Sequence, residues 1–328
     1  MSEQQNMKVG IFAASSAVPM FEFERGINHL RATGFDPVVH AQVPTQHFTF
    51  AGRDDERAAA IYEYATDPNV SVLWAARGGY GAGRLLPLLD DLTAQCGAPP
   101  RGKLLVGYSD VTVLHEFVRQ RWGWSTLHAP MPAASNFSTL DGREYAAILA
   151  YVRGQRTDAP WADAPLSWLT DPPRATITGE LIGGNLSLWQ TLAGTPYQPS
   201  GAGKILFFED LGEAYYRIDR IVVQIEQSGM FNDAAAIVLG DFCDCKDENN
   251  QCWANAEGTE KKPLRRTYSE REAFDEIFGR VGRKLNIPIA YGLPVGHGPH
   301  FAPLPLGATY TLNLNGSLAL ESWDWLKS

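Results

Sequence analysis

The segment KLLVGYSD, at residues 103–110, reads as a buried β-strand that ends abruptly in a turn carrying a serine. A short apolar run bounded by a turn is typical of a central strand in a parallel sheet. Gly107 permits a tight backbone turn, and Asp110 stands where a helix N-terminus favours a carboxylate. A helix-like run over residues 111–122 follows at once, so the segment predicts a strand, a turn and a helix with Ser109 at the corner.

A serine at such a corner would project above the edge of the sheet. Backbone N–H groups at the start of the helix would then face an incoming carbonyl oxygen, which is the geometry that a serine nucleophile needs. The spacing differs from the G-x-S-x-G nucleophile turn, because Val111 stands where the second glycine would be. Ser109 could equally be a helix cap, so the segment alone leaves two interpretations.

Strand-like and helix-like runs alternate through the first half of the chain. Further strands are predicted at residues 9–14, 37–40, 70–76 and 125–128, and helices at 21–33, 54–64 and 85–95. Such alternation predicts an α/β domain with a parallel sheet covered on both faces. Ligands of these sheets bind beyond the carboxyl ends of the strands, where the Ser109 turn lies.

A second turn at the same edge, residues 77–84, contains four glycines and leads into a helix. Exposed N–H groups of such a turn can bind a phosphate or a dinucleotide. The spacing is G-G-x-G-x-G rather than G-x-G-x-x-G, and no Walker lysine follows. A loop that donates N–H groups to an oxyanion or a substrate carboxylate therefore fits better, with a plain flexible turn as the alternative.

Composition limits the possible partners. The chain has 328 residues, enough for two domains, and a formal charge of −9, which argues against nucleic acid or an anionic membrane. No run approaches the ~20 apolar residues of a membrane span, and the polar N-terminus lacks the features of a secretory signal. The cysteines are Cys96, Cys243, Cys245 and Cys252, whose spacing favours free thiols in a reducing cytoplasm over a zinc site.

A loop-like stretch rich in proline extends from about residue 155 to residue 173. Because such stretches often join domains, the sequence predicts a first domain at residues 1–155, a linker at 156–173 and a second domain at 174–328. In the second half, Gly183-Gly184-Asn185 reads as a turn that opens a helix. Asn185 is then either the N-cap of that helix or a polar group that reaches into a cleft.

Three chemically suited residues follow one another along the chain. Ser109 stands in its turn, Glu209 ends a predicted buried strand at residues 204–210, and His297 lies between two glycines after a strand at 287–293. A carboxylate at the end of a buried strand is costly unless it is paired or used. His300 is the main rival base, and the order of such residues in sequence does not by itself establish a catalytic triad.

Other predictions concern the remainder of the second half. Residues 241–267 read as a long polar loop, which is uncommon unless it is functional or mobile. Residues 269–285 read as a helix with a capping box, and Asn315-Gly316 predicts a hairpin between strands at 309–314 and 317–321.

An ordered set of motifs carries a resemblance to a known family. The motifs are Arg77-Gly78-Gly79-Tyr80-Gly81, Gly107-Tyr108-Ser109-Asp110, Gly183-Gly184-Asn185-Leu186, Glu209-Asp210 with Gly212-Glu213, Arg217-Ile218-Asp219-Arg220 and Gly296-His297-Gly298. With this set the chain resembles the LD-carboxypeptidases of the murein-tetrapeptide type, serine peptidase family S66, over nearly its whole length. The resemblance implies a flavodoxin-like parallel-sheet N-terminal domain followed by a smaller, swivelling, β-rich α/β C-terminal domain.

By the same resemblance, Ser109 matches the nucleophile, His297 the general base and Glu209 the carboxylate that orients it. We expect the oxyanion to be held by backbone N–H groups of Asp110 and of the Gly78-Gly79 turn. A free substrate carboxylate suits bidentate arginine, so the candidates for binding the substrate are Arg77, Gly78 and Asn185.

The implied activity is hydrolysis of the L,D-amide bond that releases terminal D-alanine from murein tetrapeptides. The expected setting is cytoplasmic recycling of cell-wall peptides by a homodimer, without a metal or a cofactor. One alternative is a hydrolase similar to the microcin C self-immunity protein, which would act on aminoacyl-nucleotide amides and use an aromatic platform such as Trp253. The other alternative is a non-catalytic protein whose cleft closes on a small ligand.

Overall fold

The computed structural model describes residues 7–135, 137–140, 142–162, 165–246, 268–299 and 302–327, which form two β-sheets with helices packed around them. The strands are β1 (Met7–Phe12), β2 (Phe35–Val39), β3 (Val72–Ala75), β4 (Leu104–Gly107), β5 (Ser125–His128), β6 (Ser167–Trp168), β7 (Ile177–Asn185), β8 (Ile205–Leu211), β9 (Ala236–Cys243), β10 (Ile289–Tyr291), β11 (Leu304–Leu306), β12 (Ala308–Leu312) and β13 (Leu318–Ser322). The α-helices are α1 (Met20–Ala32), α2 (Asp54–Thr66), α3 (Leu86–Cys96), α4 (Thr112–Trp122), α5 (Gly142–Val152), α6 (Leu186–Gln190), α7 (Tyr215–Gln227), α8 (Glu270–Phe274) and α9 (Arg280–Leu285).

The first sheet has the strand order β11-β5-β4-β3-β1-β2. Strands β1 to β5 run parallel in the order 2-1-3-4-5, which is the flavodoxin-like arrangement. All four residues of β3 and of β4 are buried, as expected for central strands covered on both faces. The predicted strand, turn and helix around residues 103–122 are therefore confirmed.

The second sheet has the strand order β13-β12-β7-β8-β9-β10-β6. Strands β7 to β10 are parallel, while β6, β12 and β13 pair antiparallel at the two sides. The predicted hairpin is confirmed as β12 and β13. The predicted helix at 269–285 is α8, a π-helical turn (Asp275–Gly279) and α9 in succession, and its capping box between Ser269 and Glu272 is present.

The prediction of a turn at Gly183-Gly184-Asn185 is wrong, because these residues are the end of strand β7. They pair with Phe207, Phe208 and Glu209 of β8, in that order. A Cβ atom on Gly183 would lie 1.9 Å from the Phe207 carbonyl oxygen. A Cβ atom on Gly184 would lie 2.7 Å from Thr112 Oγ1. The glycines thus serve close packing of β7 against β8 and α4, and not a change of chain direction.

Two strands cross the predicted division of the chain. Strand β6 lies within the predicted linker and pairs with β10 of the second sheet. Strand β11 comes from the second half of the chain and pairs antiparallel with β5 of the first sheet. The two halves of the chain are therefore joined by strand pairing within the first sheet, and the domain limits at residues 155 and 174 stay predictions. Among the described helices, none is long and apolar enough to cross a membrane.

Candidate active site

Ser109 lies directly beyond the carboxyl end of β4, as the first residue of a 3₁₀ turn (Ser109–Val111) that leads into α4. Its φ of +62° places a non-glycine residue in the left-handed region, which is uncommon and strained. The N-cap position of the 3₁₀ turn is Tyr108, and that of α4 is Val111. Ser109 is therefore held at a half-buried corner and is not the cap of either helix.

A buried carboxylate fixes this corner. Asp110 is only 1% exposed, and its Oδ2 accepts hydrogen bonds from Ser15 Oγ at 2.6 Å and from the Ala82 backbone N–H at 2.8 Å. Burial raises the pKa of Asp110, while these two hydrogen bonds act in the opposite direction. The side chain therefore joins the loops that follow β1, β3 and β4. Sequence analysis placed this carboxylate at a helix N-terminus and did not predict its contacts with the loops after β1 and β3.

The glycine-rich turn after β3 packs against the serine. A Cβ atom on Gly78 would lie 2.9 Å from Ser109 Cβ, and one on Gly79 would lie 2.3 Å from Ser16 Oγ. Gly79 also has a φ of +110°, which disfavours any side chain. The main chain of this turn therefore lies beside Ser109, where side chains would not fit.

A cavity of about 190 Å³ adjoins Ser109 on the same edge of the sheet. It is lined by Pro19, Arg77, Gly78, Gly79, Tyr108, Ser109, Met131, Ala133 and Ala134. Apart from Arg77, Tyr108 and Ser109, the lining residues are small or apolar, and Arg77 Nη1 donates a hydrogen bond to the Ala17 carbonyl oxygen at 2.7 Å. The cavity thus combines one fixed positive charge with limited space.

The segment after β10 contributes a histidine, and strand β8 of the second sheet contributes a carboxylate. His297 Nδ1 and Glu209 Oε2 are 2.6 Å apart, and the Glu209 side chain is fully buried. Because a carboxylate accepts the Nδ1–H, the other ring nitrogen, Nε2, is left as the basic atom. The His297 ring lies 4.8 Å from the ring of Tyr108, the residue before Ser109. The structure therefore brings His297 and the second-sheet carboxylate against the serine turn of the first sheet.

The charge around His297 favours its protonated form. Burial lowers the pKa of His297, but the hydrogen bond and charge of Glu209 outweigh it, and the charges of Asp210 and Asp241 act in the same direction. The net effect is a pKa above the ordinary value of a histidine. The imidazole is consequently a stronger base than a histidine in water.

Asp210 follows Glu209 but has a different role, because successive strand residues point to opposite faces. Its carboxylate accepts hydrogen bonds from Asn185 Nδ2 at 3.0 Å and from the Ser187 backbone N–H and hydroxyl at 3.0 and 2.7 Å. Burial raises the pKa of Asp210 to about 6, assisted by the nearby charge of Glu209. Asp210 therefore anchors the start of α6, while Glu209 binds the histidine.

Asn185 is the N-cap of α6, as one of the two interpretations predicted. Its Oδ1 accepts a hydrogen bond from the Leu188 backbone N–H at 3.1 Å, and its own N–H donates to Thr112 Oγ1 at 3.0 Å. The side chain is buried and does not line the cavity beside Ser109. A contact of Asn185 with substrate stays a prediction.

The other described histidines near the site are packing residues. His128 lies between the rings of Tyr108 and Phe207, at centroid distances of 5.7 and 5.5 Å, and burial lowers its pKa. Burial also lowers the pKa of His115 to about 4, and its Nε2 is 3.0 Å from the Gly107 carbonyl oxygen. Both are therefore uncharged at neutral pH.

Some predictions fall outside the described residues. They concern His300, Trp253, Cys252 and the part of the 241–267 loop beyond residue 246. Of the cysteines that the structure describes, Cys96, Cys243 and Cys245 are free thiols. Within the described ranges, no cluster of histidine, cysteine, aspartate and glutamate side chains is arranged to hold a metal ion.

Two family models match the chain: the LD-carboxypeptidase N-terminal domain at residues 9–129 and the LD-carboxypeptidase C-terminal domain at residues 178–312. The murein tetrapeptide carboxypeptidase of Pseudomonas aeruginosa is 30% identical over 314 residues, covering 94% of this chain and 94% of that protein. The crystal structure of muramoyltetrapeptide carboxypeptidase from Oxalobacter formigenes aligns with a TM-score of 0.71 and 30% identity, covering 95% of this chain and 96% of that one.

The microcin C7 self-immunity protein MccF of Escherichia coli is 24% identical, covering 94% of this chain and 90% of that protein. A structure of MccF in complex with glutamyl sulfamoyl guanosine aligns with a TM-score of 0.74 over 98% of each chain, at 21% identity. These alignments confirm the fold class, with a parallel first sheet and a mixed second sheet. Because both domain models match and relatives of 30% identity span nearly the whole chain, the protein belongs to the LD-carboxypeptidase family of serine-type carboxypeptidases.

Proposed function

We propose that this protein hydrolyses the L,D-amide bond that precedes the terminal D-alanine of murein tetrapeptides. The observation that carries the proposal is the hydrogen-bonded His297–Glu209 pair of the second sheet, placed against the strained Ser109 turn of the first. A hydroxyl, a base and an orienting carboxylate are the parts of a serine hydrolase triad. The relatives named for murein peptides suggest the substrate.

The proposed reaction has two halves. Ser109 Oγ attacks the carbonyl carbon while His297 Nε2 takes the hydroxyl proton, and the C–N bond breaks as that proton passes to the leaving amine of D-alanine. The product of this half is an ester between the peptide and Ser109. Water then attacks the ester, with His297 again accepting a proton, and frees the serine. Glu209 holds the imidazole in the required tautomer and stabilises the imidazolium.

The oxyanion of each tetrahedral intermediate would be held by backbone N–H groups. The candidates are Asp110, which follows the nucleophile, and Gly79 of the turn beside it. The close approach of Gly78 to Ser109 supports this assignment, because main chain and not side chain occupies the space there. Rigid N–H donors of this kind stabilise developing negative charge without reorganisation.

The cavity beside Ser109 suits the leaving D-alanine. Its volume of about 190 Å³ is sufficient for one small amino acid. The guanidinium of Arg77 would bind the free carboxylate, and Gly78 would leave space for it. A carboxypeptidase needs such recognition of a chain end.

The microcin-immunity alternative uses the same three residues on an aminoacyl-nucleotide amide. It is supported by the sequence similarity to MccF over most of both chains. The murein substrate is the main proposal because the relatives named for murein peptides are 30% identical to this chain, against 24% for MccF. The main proposal also includes the setting: the protein would act in the cytoplasm, as a homodimer, in the recycling of cell-wall peptides.

The test is release of D-alanine from a murein tetrapeptide by the wild type, by Ser109→Ala and by Ser200→Ala. Ser200 is an exposed turn serine outside the site and serves as the matched control. We expect Ser109→Ala to lower kcat by about 10⁴-fold or more, and Ser200→Ala to keep the wild-type rate. Equal rates for wild type and Ser109→Ala would overturn the triad. A wild type that cleaves aminoacyl-nucleotide amides but releases no D-alanine would favour the alternative.

A further inference from the structure

A β-bulge lies in the second sheet at the level of the catalytic carboxylate. Phe208 of β8 pairs with Leu239 of β9, but Asp210 pairs with Phe242, so two residues of β9 stand opposite Glu209 alone. These two residues are Gly240 and Asp241. Bulges beside active sites commonly redirect a side chain that a regular strand would point elsewhere.

The redirected residue, Asp241, packs against the turn that carries His297. Its backbone N–H donates to the Val295 carbonyl oxygen at 2.9 Å. A Cβ atom on Gly298 would lie 2.2 Å from Asp241 Oδ2, and one on Gly296 would lie 3.2 Å from Asp241 Cβ. The Asp241 carboxylate therefore lies against the main chain of Gly298, and its Cβ lies against that of Gly296, so a side chain at either glycine would meet Asp241.

The titratable groups around His297 come from β5, β8, β9 and the serine turn. Glu209 and Asp210 lie on β8, and Asp241 lies on β9. From the first sheet come Tyr108, whose pKa burial raises to about 12, and His128, whose pKa burial lowers. Since the last two are uncharged at neutral pH, the charge that acts on the imidazole is negative.

We propose that Asp241 is a positioning residue, whose carboxylate fixes the Gly296–His297–Gly298 turn and stabilises the imidazolium that forms during catalysis. This proposal rests on the triad of the proposed function and extends it to a second carboxylate. Glu209 bonds the ring directly, whereas Asp241 acts through the main chain on either side of it and through its charge. The bulge in β9 places the Asp241 carboxylate at this position.

The primary experiment is an NMR titration of the His297 imidazole in the wild type, Asp241→Asn and Asp244→Asn, with the signal assigned by its loss in His297→Gln. Asparagine keeps the size of Asp241 and removes its charge. Asp244 is an exposed aspartate three residues further along, and asparagine tolerates its φ of +53°, so it is the matched control. We expect Asp241→Asn to lower the pKa of His297 by about 1, and Asp244→Asn to leave it unchanged.

Kinetics provide the second readout. His297 must be neutral to accept the serine proton, so the acid limb of kcat/KM should move to lower pH by the same amount in Asp241→Asn. The plateau rate should fall by about 3- to 10-fold, because a weaker base drives proton transfer less well. Asp241→Asn should thus keep a larger share of its plateau rate at acid pH than the wild type keeps, while its plateau is lower. General loosening of the fold would lower the rate without moving the acid limb.

An unchanged His297 titration in folded Asp241→Asn would overturn the proposal. Asp241→Ser is the second variant, since it also removes the charge but fills less space; it should move the titration in the same direction, and failure to do so would likewise count against Asp241. The titration needs no substrate, so it separates the two proposals. If the wild type released no D-alanine while the titration moved as expected, the proposed substrate would fail and the role of Asp241 would stand.

Discussion

The serine turn and the histidine turn reach the same site by different means. Ser109 is positioned by its own neighbourhood: a central strand ends beside it, its backbone is left-handed, and Asp110 next to it is locked into the sheet edge. His297 lies in an irregular segment between β10 and β11, and its ring is held by a residue 88 positions away. Backbone geometry thus positions the proposed nucleophile, whereas side-chain contacts and charge position the proposed base.

Among the variants that keep Ser109 and His297, Glu209→Gln should have the largest effect on kcat, because it removes the charge beside the histidine. Glu209→Gln keeps the size of the buried side chain but loses the carboxylate that holds the Nδ1–H tautomer. We expect kcat to fall by about 10²- to 10⁴-fold. Burial would then dominate the pKa of His297 and lower it, so the acid limb of the pH profile should move to lower pH.

The measurement for Glu209→Gln is kcat/KM for D-alanine release over a range of pH, together with thermal unfolding. Glu276→Gln, at an exposed position of the π-helical turn, is the control and should behave as the wild type. If Glu209→Gln had a normal kcat and an unchanged acid limb, the position and basicity of His297 would not depend on the charge of Glu209.

At the serine turn, the addition of one methyl group without any change in charge should lower kcat. The new methyl group of Gly78→Ala would lie 2.9 Å from Ser109 Cβ, so either the nucleophile or the glycine turn must shift. A displacement of about 1 Å at a reacting group costs on the order of 10²-fold in rate. Gly83→Ala is the matched variant in the same loop, because a Cβ atom there would have nothing within 4 Å.

For this pair, kcat and the midpoint of thermal unfolding should be measured together. We expect Gly78→Ala to lose activity with a modest change in stability and Gly83→Ala to lose neither. Equal kcat values for both variants would contradict the view that backbone geometry secures the nucleophile.

Among the changes at Glu209, Gly78 and Asp110, the smallest loss of kcat is expected for Asp110, which supports the serine turn. Asp110→Ala removes the acceptor for the Ser15 hydroxyl and the Ala82 N–H, and leaves buried groups without a partner. Unfolding free energy should fall by about 1–3 kcal/mol and kcat by about 10-fold. Urea denaturation with fluorescence detection measures the first quantity. Asp110→Asn keeps an oxygen acceptor and should lose less; equal losses for the two variants would count against the hydrogen-bond explanation.

Much of the fold could be predicted because its signals are local. The apolar run, the glycine and the helix-forming residues that follow lie within residues 103–122, and the structure has a strand, a turn and a helix there. The glycine pair at residues 183–184 misled the prediction, because glycine marks close packing as well as turns. Only the neighbours, Phe207 on β8 and Thr112 on α4, distinguish the two.

The residues of the candidate site likewise include some that sequence motifs identify and one that only the tertiary structure identifies. Ser109, Glu209 and His297 could be selected from motifs, since each stands at the end or the turn of an element that the sequence already predicts. Asp241 could not be selected, because its approach to the histidine turn arises from a bulge, and a bulge depends on the register between two strands.

Local patterns thus determine which elements form and which reactive side chains stand at their ends, because the hydrogen bonds of a helix or turn join residues close in the chain. Tertiary structure alone decides that the Glu209 carboxylate meets the His297 ring, that β11 joins the first sheet, and that one aspartate links three loops. These contacts join residues that are far apart in sequence. Their geometry depends on how the strands pair and how the two sheets pack, and no short stretch of residues encodes that arrangement.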